Sequence, residues 1–261
     1  MLGRDVVRAA GDDALALARS ELDVTDAAAV ERAVARAAPD VVINCAAFTD
    51  VDGAESDAHG ALRVNGDGAR NVALAAPRVV YVSSDYVFDG TKDSPYLESD
   101  PTAPISSYGR SKLAGERATA EANPRHFIVR SSWLFGVGGR NFVETMIRVG
   151  RERGEARVVA DQVGCPTYTG HLAEGLVRLA AGEEYGIHHL AGGGSCSWFE
   201  FAQAIFERAE IDCRLTPCTT EEYPLPARRP ANSVLRTERG RTLPPWQEGL
   251  DAYLAEREVR A

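Results

Sequence analysis

Three continuous apolar runs constrain this chain more than any other feature: PDVVINC at 39 to 45, VVYV at 79 to 82 and RHFIVR at 125 to 130. Strands apolar at nearly every position are buried on both faces, which is the condition of a parallel sheet sandwiched between helices. Each run stops abruptly at small or polar residues. Ala46, Ala47, Phe48 and Thr49 follow the first, Ser83, Ser84 and Asp85 the second, and Ser131, Ser132 and Trp133 the third. Apolar spacing and start signals place helices at 2 to 10, 27 to 38, 58 to 76, 107 to 116, 141 to 153, 169 to 181, 197 to 209 and from about 245. A weaker strand is expected at 14 to 22 (ALALARSEL), and others at 156 to 160, 186 to 190 and near 213 to 216. The pattern is that of a doubly wound α/β sheet, whose strand ends on one edge collect ligands.

The stretch from Arg78 to Lys112 is the chemical centre of the sequence. A hydroxyl, Ser84, stands at the carboxyl end of a buried strand, and after a loop holding Gly90, Pro95, Pro101 and Pro104 a helix begins at Ser107. Tyr108 and Lys112, four apart, share one face of that helix. A phenol with a pKa near 10 is a poor proton carrier at neutral pH unless a cation stabilises its phenolate, and Lys112 supplies one. Ser84, Tyr108 and Lys112 together can protonate a carbonyl while a cofactor delivers hydride to its carbon. Tyr-x-x-x-Lys alone also arises by chance on helix surfaces. Here the chain holds only two lysines, Lys92 and Lys112, among 29 basic residues.

Composition excludes several classes. A net charge of −9 opposes a general nucleic-acid or anionic-membrane surface. Five cysteines, at 45, 165, 196, 213 and 218, are an odd count without metal-ligand spacing, and the five histidines show none either. Neither a disulfide framework nor a metal site is expected. No apolar run approaches the roughly 20 residues of a membrane span, so the cytoplasm is the expected compartment. One local exception to the acidity is the stretch holding Arg228, Arg229, Arg236, Arg239 and Arg241 with the single acid Glu238. It suits a diphosphate or is simply a solvated basic face.

SSDYVFDG at 83 to 90, YGRSK at 108 to 112, RSSWLFG at 130 to 136 and RRPANSVL at 228 to 235 resemble, in this order, the dTDP-4-dehydrorhamnose reductase family of extended short-chain dehydrogenase/reductases. The similarity runs from about Leu2 to about Tyr253. It implies a Rossmann-like doubly wound parallel sheet with a smaller C-terminal substrate lobe: residues 1–155 for the dinucleotide, and 156–261 mainly for the substrate with some segments returning to the sheet. It implies NADPH or NADH as cofactor and reduction of the 4-keto group of a dTDP-4-keto-6-deoxy sugar, giving dTDP-L-rhamnose or a close relative. Where the family usually has Thr at the strand end, this chain has Ser84, and the hydroxyl is retained.

The resemblance also implies roles. Ser84, Tyr108 and Lys112 are the catalytic set. Leu2, Gly3, Asp23, Val24, Ala47, Phe48 and Thr49 face the cofactor together with Tyr108 and Lys112. Asp85 and Trp133 face the substrate, and Arg229 and Ser233 its diphosphate. On residue chemistry alone Asp23 is equally a loop acid beside a helix cap, and Trp133 a core side chain. Asn65 reads as a locally bonded helical residue outside the site. The expected partner is a nucleotide sugar, with no nucleic acid and no membrane, and the chain a monomer or homodimer.

Two alternatives stand beside the reductase: a non-catalytic NADP-binding regulatory subunit on the same scaffold, and a nucleotide-sugar epimerase or dehydratase that keeps its cofactor through the cycle. Extended reductases open with a strand and a Gly-x-x-Gly-x-x-Gly turn, and Leu2, Gly3, Arg4 and Asp5 resemble the end of that motif. Roughly 12 to 14 family residues then lack a counterpart, as a start placed too far downstream would leave them. A gap or re-paired strands beside the helix at 2 to 10, and weak dinucleotide binding, are the expected results.

Overall fold

A computed structural model describes residues 1–259. In chain order its elements begin with helix α1 (Leu2–Ala10), helix α2 (Ala27–Ala37), strand β1 (Val42–Asn44) and the short helices α3 (Gly53–Ser56) and α4 (Ala58–Leu62). A π turn at Arg63–Asp67 leads into α5 (Gly68–Ala75), then β2 (Val79–Ser84), α6 (Ser107–Ala122), β3 (His126–Ser131) and β4 (Leu134–Phe135). Next come α7 (Phe142–Arg153), β5 (Glu155–Val159), β6 (Val163–Gly164), β7 (Thr167–Tyr168) and α8 (Thr169–Ala180). The chain continues through β8 (Gly186–His189), β9 (Cys196–Ser197), α9 (Trp198–Arg208), β10 (Arg214–Cys218) and α10 (Trp246–Val259).

The three apolar runs become β1, β2 and β3, which pair in that order as parallel neighbours, and β8 returns from the second half to complete the sheet. All six residues of β2 are buried, because helices cover both faces. On one side Val80, Val82, Phe127 and Val129 pack with Val6 of α1 and Leu172, Leu176 and Leu179 of α8. On the other, Val79 packs with Val72 and Val30, and Tyr81 and Ile128 with Ala69, beneath α2 and α5. A second core joins α7, α9 and α10 around Phe135, Ile147, Phe201, Ile205, Leu250 and Tyr253. There β5 pairs in parallel with β10, residue for residue from Arg214 beside Glu155 to Cys218 beside Val159.

The expected strand at 14 to 22 does not form. Gly11–Asp13 is a 3-10 turn, Ala14 begins an extended stretch outside any ladder, and Leu15 and Leu17 are 70% and 39% exposed. An extended segment becomes a strand only when another strand satisfies its amides and carbonyls. Among the described residues none lies between this stretch and β1. Among the described residues β1 has β2 as its single ladder neighbour. The helix expected at 58 to 76 is likewise not continuous, being broken by the π turn that carries Asn65.

Gly115 fixes how closely α6 approaches the sheet. A Cβ there would lie 2.1 Å from the Asn65 carbonyl oxygen and 2.2 Å from the Tyr81 hydroxyl, two atoms already hydrogen-bonded to each other at 3.0 Å. Neither is a free side-chain end. Gly115→Ala is therefore expected to destabilise the protein by about 3 kcal/mol, read as a lower urea midpoint. An unchanged midpoint would show that the contact yields without cost.

Candidate active site

The site lies where β1, β2 and β3 end. Ser106 caps α6 by accepting the Gly109 amide at 3.1 Å, and Glu55 accepts the Ser107 amide at 2.7 Å, so the helix starts at a fixed point beside the strand ends. From it Tyr108 projects half-buried, with its ring edge-on to Tyr86 at 5.8 Å and its hydroxyl hydrogen-bonded to Ser84. Burial pushes the phenol up to about 12, the Ser84 bond opposes this, and the Asp85 carboxylate adds to it. Lys112, one turn on, is 2% exposed; its ammonium donates to the Val82 carbonyl at 2.7 Å and sits 4.4 Å from the centre of the Tyr81 ring. Burial brings it down to about 7, against the pull of Glu116 and Cys45. Ser84 and Tyr108 face each other at the strand end, and the Lys112 ammonium lies one helical turn on, against the Val82 carbonyl and the Tyr81 ring.

Asp85 faces inward. It is 2% exposed and accepts hydrogen bonds from Ser84 at 2.9 Å and Ser132 at 3.1 Å, with Ser233 as a third donor. Ser233, from the other end of the sequence, therefore reaches the same strand end as Ser84. Burial raises the Asp85 carboxyl to about 6, with the three serine hydroxyls pulling the other way. Between about pH 4 and 6 the folded state holds a proton that the unfolded state has released, so stability falls as pH rises through that window. A shift of this size corresponds to about 3 kcal/mol. Asp85→Asn removes the titration, and its unfolding free energy is expected to gain on the native chain by on the order of 2 kcal/mol between pH 4.5 and 7.5. A pH-independent difference in urea denaturation would refute the assignment.

The loop after β1 is held by a residue outside the expected site. Asn65 is fully buried, accepts the Phe48 amide at 2.8 Å, and donates to the Phe48 carbonyl at 3.1 Å and to the Ser111 hydroxyl at 2.9 Å. It ties the loop of Ala47, Phe48 and Thr49 to the Tyr108 helix. Ala47 and Phe48 are half-buried and Thr49 exposed, so the loop keeps an open side. Gly3, in the first turn of α1, lies over Cys45 at the end of β1: a Cβ on Gly3 would stand 3.7 Å from the cysteine Cβ. Leu2 is half-buried beside it. Free amides of a helix first turn, a lysine ammonium and a phenol on one edge form a donor set that fits a dinucleotide's pyrophosphate and ribose.

The remaining expected residues spread more widely. Asp23 is exposed and turned back on its own loop, accepting the Thr25 amide at 2.9 Å and hydroxyl at 2.8 Å, and these bonds hold its carboxyl below the usual range. Val24 packs against Gly68 of α5, and its carbonyl accepts from Asn71 at 3.0 Å. Trp133 has a left-handed backbone, φ 48°, and stacks flat on Trp198 with ring centres 3.4 Å apart. Its ring also packs against Gly164, where an added Cβ would lie 2.4 Å from the indole. Arg229 is engaged by Asp52, which accepts from both of its terminal nitrogens at 3.0 and 2.7 Å. That pair bridges the loop after β1 to the C-terminal segment, and it holds the Asp52 carboxyl low.

Fold and site together define a Rossmann-like oxidoreductase of the extended short-chain type, with Ser, Tyr and Lys at the ligand edge of a parallel sheet. Comparison with known proteins makes the assignment narrower. The chain belongs to the RmlD substrate binding domain family, whose model matches residues 1–259. A dTDP-4-dehydrorhamnose reductase from Burkholderia thailandensis is 44% identical over 257 residues, covering 88% of this chain and 86% of that protein. A crystal structure of dTDP-4-dehydrorhamnose reductase from Bacillus anthracis in complex with NADP is 43% identical with a TM-score of 0.89, covering 92% of this chain and 89% of that one. A second, from Clostridium acetobutylicum, is 40% identical with a TM-score of 0.95, covering 98% and 96%. No helix among the described residues is long and apolar enough to cross a membrane.

Proposed function

We propose that this chain is an NAD(P)H-dependent reductase of the 4-keto group of a dTDP-4-keto-6-deoxy sugar, forming dTDP-L-rhamnose. What supports the reading is the placement of Ser84 at the end of β2 beside Tyr108, with Lys112 one turn further along α6. The nicotinamide, when bound, supplies the hydride to C4. Ser84 turns its hydroxyl proton from Asp85 to the carbonyl oxygen, and Tyr108 gives its proton to the alkoxide as charge develops there. Lys112 in its ammonium form stabilises the tyrosinate left behind and holds the nicotinamide ribose. Leu2 and Gly3 at the α1 N-terminus serve the pyrophosphate, and Ala47, Phe48 and Thr49 leave room beside it. Asp23 and Val24 take the adenine end.

On the substrate side Trp133 walls the sugar. Asp85 holds the hydroxyls of Ser84 and Ser233 in place, and Arg229 meets the nucleotide diphosphate beside Asp52. Residues 1–155 carry the dinucleotide and 156–261 mainly the sugar nucleotide. The protein acts in the cytoplasm as a monomer or homodimer.

The test is the purified chain with NADPH or NADH and the dTDP-4-keto-6-deoxy sugar, followed by the fall in reduced-nicotinamide absorbance and by product chromatography. Substrate-dependent oxidation with loss of the keto group supports the reductase. Cofactor binding without turnover identifies a regulatory subunit, and a converted sugar with no net oxidation of a retained cofactor identifies an epimerase or dehydratase.

A further inference from the structure

The helix stripe that carries Tyr108 and Lys112 continues, one turn later, with Glu116. Glu116 and Arg130 are 3% and 2% exposed. One carboxylate oxygen accepts from the Ser83 hydroxyl at 2.6 Å and from Arg130 Nε at 2.9 Å, and the other from Arg130 Nη2 at 2.8 Å. Ser83 directly precedes Ser84 and stands opposite Arg130 in the β2–β3 register. One carboxylate therefore fastens α6 to both strands, immediately beneath their functional ends. A buried ion pair adds little to stability over apolar residues of similar volume, so its position calls for another account.

That account lies in the surroundings of Lys112. Its own helix presents Tyr108 and Glu116. β2 presents the Val82 carbonyl and the Tyr81 ring, and the end of β1 presents Cys45. Arg130 of β3 is bound to Glu116, and Asp85, after β2, acts on Tyr108. The two groups that favour the charged lysine are Glu116 and Cys45, and burial pushes the Cys45 thiol up to about 12, leaving it neutral. Glu116, one helical turn on from Lys112 and bonded to Ser83 and Arg130, is the carboxylate whose charge favours the ammonium.

We infer that Glu116 is a positioning residue for the reduction: fastened to Ser83 and Arg130, its carboxylate fixes α6 against the strand ends and sets a negative charge one turn from Lys112, behind the helix face that carries Tyr108. This rests on the reductase reading above.

The experiment compares Glu116→Gln, Glu116→Asp and the double variant Glu116→Gln/Arg130→Met with the native chain. The double variant removes both buried charges, so no unpaired guanidinium is left to unfold the protein. Two quantities are read: the alkaline limb of kcat/KM against pH, and the titration of Lys112 followed by NMR of carbon-labelled lysine. With two lysines in the chain, Lys92, bound to Asp100, is the internal reference.

Loss of the carboxylate lets Lys112 shed its proton at lower pH. Both the limb and the titration midpoint are expected to move down by about one pH unit in the Gln and double variants, and kcat to recover toward the native value at acid pH. Glu116→Asp, which keeps the charge, is expected to leave both near native. Unmoved limb and midpoint in the folded double variant overturn the inference. A native chain that oxidises neither cofactor overturns the reductase reading instead, while the Lys112 midpoint still reports on Glu116.

Discussion

Tyr108→Phe is expected to lower turnover by roughly 10² to 10⁴, the usual worth of a positioned general acid, while leaving cofactor affinity within a few fold. The substitution removes the hydroxyl that meets Ser84 and nothing else. The ring still packs edge-on against Tyr86, and Lys112 keeps its bond to the Val82 carbonyl, because neither contact involves the phenol oxygen. Steady-state kinetics beside a fluorescence titration with NADPH separates the two effects. Near-native turnover would remove Tyr108 from the role of acid, and a collapse of cofactor affinity would mean that the hydroxyl mainly binds.

Ser84→Ala is expected to cost on the order of 10² to 10³ in kcat, the effect of losing one hydrogen-bond donor to a developing oxyanion. Ser84→Thr restores the hydroxyl and is expected to be nearly silent. The structure adds a reason to watch the pH dependence of the alanine variant. Ser84 donates to Asp85, whose carboxyl is raised to about 6 by burial, so removing that donor raises the carboxyl further and extends the pH range over which it is protonated. A large loss in the threonine variant would show that the extra methyl group displaces the hydroxyl from the Tyr108 oxygen.

What was legible in the sequence followed from local chemistry. The apolar runs at 39 to 45, 79 to 82 and 125 to 130 became the neighbouring strands β1, β2 and β3 because burial on both faces leaves a continuous apolar signature. Tyr108 and Lys112 are legible as a pair because four residues on a helix mean one face. Ser84 is conspicuous as a polar residue ending a buried strand. The strand expected at 14 to 22 failed for a reason no local pattern carries: strand formation there depends on a ladder partner, and none is beside it.

Asn65 is not legible as a site residue because an isolated asparagine in a helix gives no signal of its own. Its importance comes from a π turn and from Phe48 and Ser111, which lie 17 and 46 residues away in sequence. The two-residue strands β4, β6, β7 and β9 are too short to show any periodicity. Arg229 was legible as a cation but not as the partner of Asp52, since 177 residues separate them.

The flat stack of Trp133 on Trp198 gives the protein an optical property that single indoles lack. Two rings with centres 3.4 Å apart and planes within 5° of parallel share their electronic excitation, so the pair has a near-ultraviolet dichroism distinct from that of Trp246, the remaining indole. One ring belongs to the strand end beside Ser132, the other to the first turn of α9 in the second core. Any ligand that presses on Trp133, or any shift of α9 relative to the sheet, changes the coupling between them. With Trp133 in the proposed role of sugar wall, occupancy of that side is readable in the native sequence without a label, and without a single catalytic turnover.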